Sequence, residues 1–231
     1  MSDDNHNIDN ADLNRLLGVM AVIVAVMFAI AAYAWLRVPD GIRIPVHWGL
    51  DGKPNRFGGK AEGLLVMPCI ALATTLLFRV IPIIEPRRRN LLRSFVAYRM
   101  VALGLVTFFL VIYAVKVGNI LGVFKLEMTS VVGLLVSALI MVLGNYLGKV
   151  RSNFMFGIRT PWTLSSNIAW DKTHRLGGRL FFGVGLIGLI ASAAMPASGI
   201  KVFIGLLIAA SMFLVFYSWL VWRNAPDRTQ T

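Results

Sequence analysis

Six stretches of this sequence contain no Asp, Glu, Lys or Arg: Leu16–Leu36, Gly63–Phe78, Met100–Val115, Thr129–Gly148, Leu180–Ile200 and Val202–Trp222. A chain that gathers its apolar residues into blocks this long cannot spread them over one face of soluble helices or strands. A helix needs about 20 apolar residues to cross the hydrocarbon of a bilayer, and four of the blocks are that long unaided. The second reaches that length by running past Arg79 to Ile84, the third by starting near Phe95 and taking in Arg99. Charged residues make up 15% of the chain, against about 25% in soluble domains, which excludes an ordinary water-soluble enzyme. The sequence reads as an all-α membrane protein with six transmembrane helices.

The spans set the organisation. Residues 1–15 form a tail, and residues 16–99 hold two spans with a loop at 37–62 and a basic knuckle at 85–99. Residues 100–148 hold two more spans, 149–179 a long loop, 180–222 the last two spans and 223–231 a second tail. Ala32-Tyr33-Ala34 imitates a signal cleavage site. The acidic tail before it (Asp3, Asp4, Asp9 and Asp12 against Arg15) and the length of the run argue for a retained first helix. The two tails, 85–99 and 149–179 together carry 14 Lys and Arg, whereas 37–62, 116–128 and Lys201 carry 8. The richer set is expected in the cytoplasm, with both termini, and the 37–62 loop outside. The net charge of +12 then reflects cations retained on one side, so the partner is the lipid bilayer and no direct nucleic-acid contact is expected. Arg87, Arg88, Arg89, Arg93 and Arg99 attract anionic headgroups and read as a topology anchor. Arg79 snorkels to the same headgroups.

Other patterns restrict the chemistry. No acidic residue interrupts the six runs, which disfavours ion-coupled transport. Pro68 and Pro82 leave a kink or a broken helix as alternatives. The single cysteine, Cys69, reads as a small buried hydrophobe. Gly183, Gly185 and Gly188 match a dinucleotide-binding spacing but lie inside an apolar span, where close helix packing explains them. Gly144 and Gly148 have the same explanation. His6, His47 and His174 fall in different segments, which excludes a shared zinc site, and no cofactor is expected. His47 with Asp51, or Asp171 with His174, makes either an acid–base pair or a structural hydrogen bond.

Function belongs to the two long loops, which are rich in Trp, Gly, Pro and charge. In the outer one, Arg43, Pro45, His47 and Trp48 are the candidate binding residues. Gly49, Gly52 and Pro54 predict a compact turn with Trp48 at the interface. In the inner one the candidates are Asn153, Arg159, Pro161, Trp162, Trp170, Lys172, His174 and Arg175. Thr163, Ser165 or Ser166 caps a short helix at 166–176. Trp162, Trp170, His174 and Arg159 of this loop are expected either to fold onto the inner mouth of the bundle, with aromatic faces near guanidinium groups, or to act as interfacial anchors.

Gly144-Asn145, Asn153, Gly157-Ile158-Arg159-Thr160-Pro161-Trp162-Thr163-Leu164, Trp170 and Lys172-Thr173-His174-Arg175 closely resemble the signature of SdpI-type immunity membrane proteins. Ile44-Pro45-Val46-His47-Trp48 followed by Gly52 resembles the short N-terminal domain of unassigned function often fused to them. Asn167 and Ile168 depart from the pattern, standing where many relatives carry an acidic residue. The resemblance implies a bacterial cell-membrane protein giving immunity to a secreted, membrane-active peptide toxin. It also implies, for some members, sequestration of a small repressor at the inner face. The rival readings are a membrane enzyme using His174, Asp171 and Arg159 on lipid or peptide, and a small transporter.

The two loops also resemble each other. Gly41-Ile42-Arg43-Ile44-Pro45 and Gly157-Ile158-Arg159-Thr160-Pro161 share four of five residues. Arg56-Phe57-Gly58-Gly59-Lys60 and Arg175-Leu176-Gly177-Gly178-Arg179 follow them. A 3+3 inverted repeat, with Arg43 equivalent to Arg159, and coincidence both account for the matches.

Overall fold

The structure, a computed structural model, describes residues 10–123, 125–196 and 198–228. Asp3, Asp4, His6 and Asp9 lie outside them. The chain runs α1 (Asn10–Arg37), β1 (Ile44–Trp48), β2 (Pro54–Gly58), α2 (Lys60–Ile84), α3 (Arg88–Arg93), α4 (Phe95–Ile120), α5 (Met128–Leu147), α6 (Pro161–Leu164), α7 (Asn167–Ala194) and α8 (Gly199–Arg223). Six of these helices, α1, α2, α4, α5, α7 and α8, are long and apolar enough to cross a membrane. The protein is a multi-pass membrane protein. After six crossings α8 ends on the face where α1 begins. That face also carries α3, α6 and the 148–166 segment, and we call it the loop face. The strands, residues 121–123 and residues 125–127 occupy the opposite, hairpin face.

Four sequence expectations are corrected. The outer loop is an antiparallel hairpin, with Ile44 paired to Gly58 and Trp48 to Pro54. Five residues of apolar and aromatic character suffice for β1 once the turn is closed: the Gly49 amide donates to the Lys53 carbonyl at 3.0 Å, and Gly52 takes a positive φ of 81°. The helix expected at 166–176 is the first part of α7, capped by Ser166, whose Oγ accepts the Ala169 amide at 3.0 Å. Its charges precede the apolar run, and one helix continues from the first into the second. Lys116 is a buried residue of α4 and not part of a loop. Cys69 faces outward from α2 rather than into the core.

α1, α2 and α4 pack as one group, α5, α7 and α8 as another, and α4 meets α5. Glycine sets the α5–α7 approach. A Cβ added at Gly185 would lie 2.6 Å from the Met141 nitrogen, and one at Gly133 2.7 Å from Ser192 Oγ. Gly185 and Gly188 of the dinucleotide-like motif therefore serve helix packing, while Gly183 faces open space. The two similar loop segments share a positive-φ glycine, Gly41 at 80° and Gly157 at 115°. They then diverge: Ile44-Pro45 enters a strand, and Thr160-Pro161 opens a helical turn.

The prolines of α2 are neutralised from α4. Proline has no N–H, so the carbonyl four residues earlier loses its helical donor, a costly loss in hydrocarbon. Pro68 frees Leu64, whose carbonyl accepts the Tyr113 hydroxyl at 2.8 Å. Pro82 frees Phe78, whose carbonyl accepts the Tyr98 hydroxyl. Lys116 Nζ adds a donor to the Gly63 carbonyl at 2.6 Å. Tyr113→Phe should cost about 1 kcal/mol. Pro68→Ala should remove most of that cost by restoring the amide donor. Unfolding of the single and double variants measures the coupling, and additive effects would contradict this account.

Candidate functional site

The loop-face assembly begins where α2 ends. Glu85, 3% exposed, turns its carboxylate back to accept the Arg87 amide at 2.7 Å and, across the bundle, the Phe154 amide at 3.0 Å. The Arg87 guanidinium donates to Ser152 Oγ and to the Leu164 carbonyl, and lies 4.6 Å over the Phe154 ring. Asn90 Nδ2 donates to the Ser152 carbonyl at 2.9 Å, and Ser94 Oγ accepts the Arg151 amide at 2.8 Å. The basic knuckle is thus a clasp on the 148–166 segment as well as a run of cations.

The segment is shaped by its own side chains. Asn153 is fully buried, with Oδ1 accepting the Met155 and Phe156 amides at 2.8 Å and Nδ2 donating to the Arg151 carbonyl. Thr160 and Thr163 form a capping box around α6, with Pro161 at the first helical position. The Thr160 and Ser218 hydroxyls, 3.0 Å apart, tie this turn to α8. The Trp170 indole donates to the Val150 carbonyl at 2.7 Å. His174 is 1% exposed and stacks on Trp170, with ring centroids 3.9 Å apart. The Ile158 amide donates to its Nε2 at 2.9 Å, so Nδ1 carries the proton and donates to the Trp170 carbonyl at 2.8 Å. Gly157 must be glycine: its φ is positive, and a Cβ there would lie 2.5 Å from His174 Nε2.

The start of α7 is closed by Asp227, which accepts from Ser166 Oγ at 2.6 Å and the Ile168 amide at 3.1 Å. Burial alone would raise this carboxyl, but the hydrogen bonds from the Ser166 side chain and from the backbone of Ile168, Asp227 and Asn167 together hold it below its ordinary value. Asp227 thus brings a carboxylate from beyond α8 to the start of α7.

Of the residues singled out in the sequence, Asn153, Trp170 and His174 are buried pins of this assembly. Trp162 is half-buried, and Arg159, Pro161, Lys172 and Arg175 are exposed. Arg159 donates to the Phe154 carbonyl at 2.6 Å and not to an aromatic face. Phe154 instead faces the Arg87 guanidinium. On the hairpin face Arg43 and His47 are exposed, while Pro45 and Trp48 are half-buried. His47 bonds Asn55 across the hairpin at 2.6 Å, while Asp51 accepts the Lys53 amide, so no His47–Asp51 pair forms. Nor does an Asp171–His174 pair, since both imidazole nitrogens are taken by backbone. Among the described residues no cluster of His, Cys, Asp or Glu can hold a metal.

Residues 149–218 match the SdpI/YfhL protein family, and residues 22–72 match a domain of unknown function (DUF1648). The chain is SdpI-like. It is 22% identical over 181 residues to the immunity protein SdpI of Bacillus subtilis (strain 168), covering 77% of this chain and 81% of that protein. No solved structure matches. The SdpI-like segment opens at Lys149 and ends at Ser218, the α8 residue that meets Thr160, so it contains both ends of that tie. The clasp residues Glu85, Arg87, Asn90 and Ser94 lie outside both matched segments. Sequence reasoning missed Glu85 although it is the sole acidic residue between Arg79 and Arg99.

Proposed function

We propose that this protein is a membrane immunity protein of the SdpI type, with the hairpin face outside the cell and the loop face and both termini in the cytoplasm. The observation that carries the reading is the similarity to the SdpI immunity protein over most of both chains. In this reading Arg43, Pro45, His47 and Trp48 meet a secreted, membrane-active peptide toxin. The exposed Arg159, Pro161, Lys172 and Arg175, with the half-buried Trp162, offer a small repressor a surface held in place by Asn153, Trp170 and His174. The enzymatic alternative gains no support, because His174 is buried and has no nitrogen free to move a proton.

Expression in a toxin-sensitive bacterial strain tests the function. Survival under a panel of secreted membrane-active peptides should rise for at least one of them. Survival unchanged across the panel would count against immunity. The orientation has its own test in a Cys69→Ser background. Lys53→Cys should react with an impermeant maleimide on intact cells, and Lys172→Cys only after permeabilisation. The opposite pattern would place the hairpin inside and remove the toxin-facing role.

A further inference from the structure

The close α5–α7 contact leaves an open groove of about 460 Å³ toward the loop face. Its floor is glycine: a Cβ added at Gly178 would lie 2.8 Å from the Gly144 carbonyl oxygen. Its walls include Arg175 and Arg179, one turn apart on α7, Lys149 just beyond α5, and Phe182. All three cations are exposed, and among the described residues none forms an ion pair with a carboxylate. The Lys149 ammonium lies 4.8 Å over the Tyr146 ring, which orients it without neutralising it. Arg179 is the last charged residue before the uncharged Leu180–Ile200 stretch, so it marks the level where headgroups meet hydrocarbon. Within about one helical turn, or about 5 Å, the groove passes from three cations to bare glycine backbone and an aromatic ring.

We propose that this groove binds an anionic phospholipid. Arg175, Arg179 and Lys149 hold its phosphate, and an acyl chain lies over Gly144 and Gly178 against Phe182. Guanidinium groups match phosphate oxygens in pairs, and a basic pocket between transmembrane helices suits an anionic headgroup. Free phosphate would use the cations and leave the apolar half of the groove in contact with nothing. An acidic peptide would meet the same mismatch at Phe182. The groove lies between α5 and α7, whereas the Arg88–Arg89 pair belongs to α3, and the inference does not depend on the immunity reading.

Native mass spectrometry of the detergent-purified protein, titrated with phosphatidylglycerol or phosphatidylcholine, tests this. Wild-type protein should retain phosphatidylglycerol in preference to phosphatidylcholine and unfold at higher temperature with it. The Arg175→Gln/Arg179→Gln double variant should bind it about thirtyfold more weakly, while Arg88→Gln/Arg89→Gln retains it as wild type does. Equal retention of phosphatidylcholine would overturn the proposal, as would stabilisation by inorganic phosphate or poly-glutamate equal to that by the lipid. Should the double variant aggregate, the single variants Lys149→Gln, Arg175→Gln and Arg179→Gln decide. Each must weaken retention, and unchanged retention in any one of them overturns the assignment.

Discussion

Replacing Gly185 by valine should yield a protein that still inserts in the membrane but no longer holds α5 against α7. The new Cβ alone would sit 2.6 Å from the Met141 nitrogen and 2.7 Å from the Ser137 carbonyl oxygen, both backbone atoms that no rotamer change can move. Overpacking of an adaptable core costs about 1–3 kcal/mol. Two rigid helix backbones in the way place this variant at about 3 kcal/mol or more. The control is two residues away: a Cβ at Gly183 meets nothing within 4 Å, so Gly183→Val should unfold as wild type does. Thermal unfolding and gel-filtration profiles in detergent read the contrast. Equal behaviour of the two variants would mean that the glycines are not what sets the helix approach.

His174→Ala should have the second largest effect, localised to the loop face. It removes the acceptor of the Ile158 amide, a loss of about 1–3 kcal/mol for a buried donor, together with the Trp170 stacking, worth about 0.5–1.5 kcal/mol. The 148–166 segment should loosen while the six spans stay assembled. Limited proteolysis at Arg159 should accelerate about tenfold or more, in line with the lost free energy. Protease resistance equal to wild type would show that Asn153, Arg87 and Glu85 fix the segment without His174.

The spans were legible because hydrocarbon imposes a length and a charge rule on every helix that crosses it, and Leu16–Leu36 or Val202–Trp222 obey both. Short-range signals did less well where they competed. Gly49, Gly52 and Pro54 announced a turn so strongly that the five-residue strands beside them were not read. Lys172, Arg175 and Arg179 set the start of an apolar run at Leu180, although a helix continues readily through charge once it leaves the bilayer. The roles of Trp170 and His174 were hidden for a different reason. A signature shows which residues recur, and only tertiary contacts separate a pin from a binding surface. Glu85 meets Phe154 across 69 residues of sequence, a distance at which local pattern carries no information. Pro68 and Pro82 were noticed, but their partners on α4 were not.

Those partners have a consequence for how the first half of the molecule finds its alignment. One greasy helix can slide along another in lipid at little cost, because the surrounding chains are as apolar as the side chains. The Tyr113–Leu64 and Tyr98–Phe78 bonds remove that indifference. Their anchor points are separated by 14 residues on α2 and 15 on the antiparallel α4, spans of about 21 and 22 Å at the helical rise. Sliding α4 past α2 by a single turn would strand both carbonyls at once, so the two bonds act together as a vernier. Prolines that would ordinarily weaken a transmembrane helix here supply the graduation marks by which it is registered.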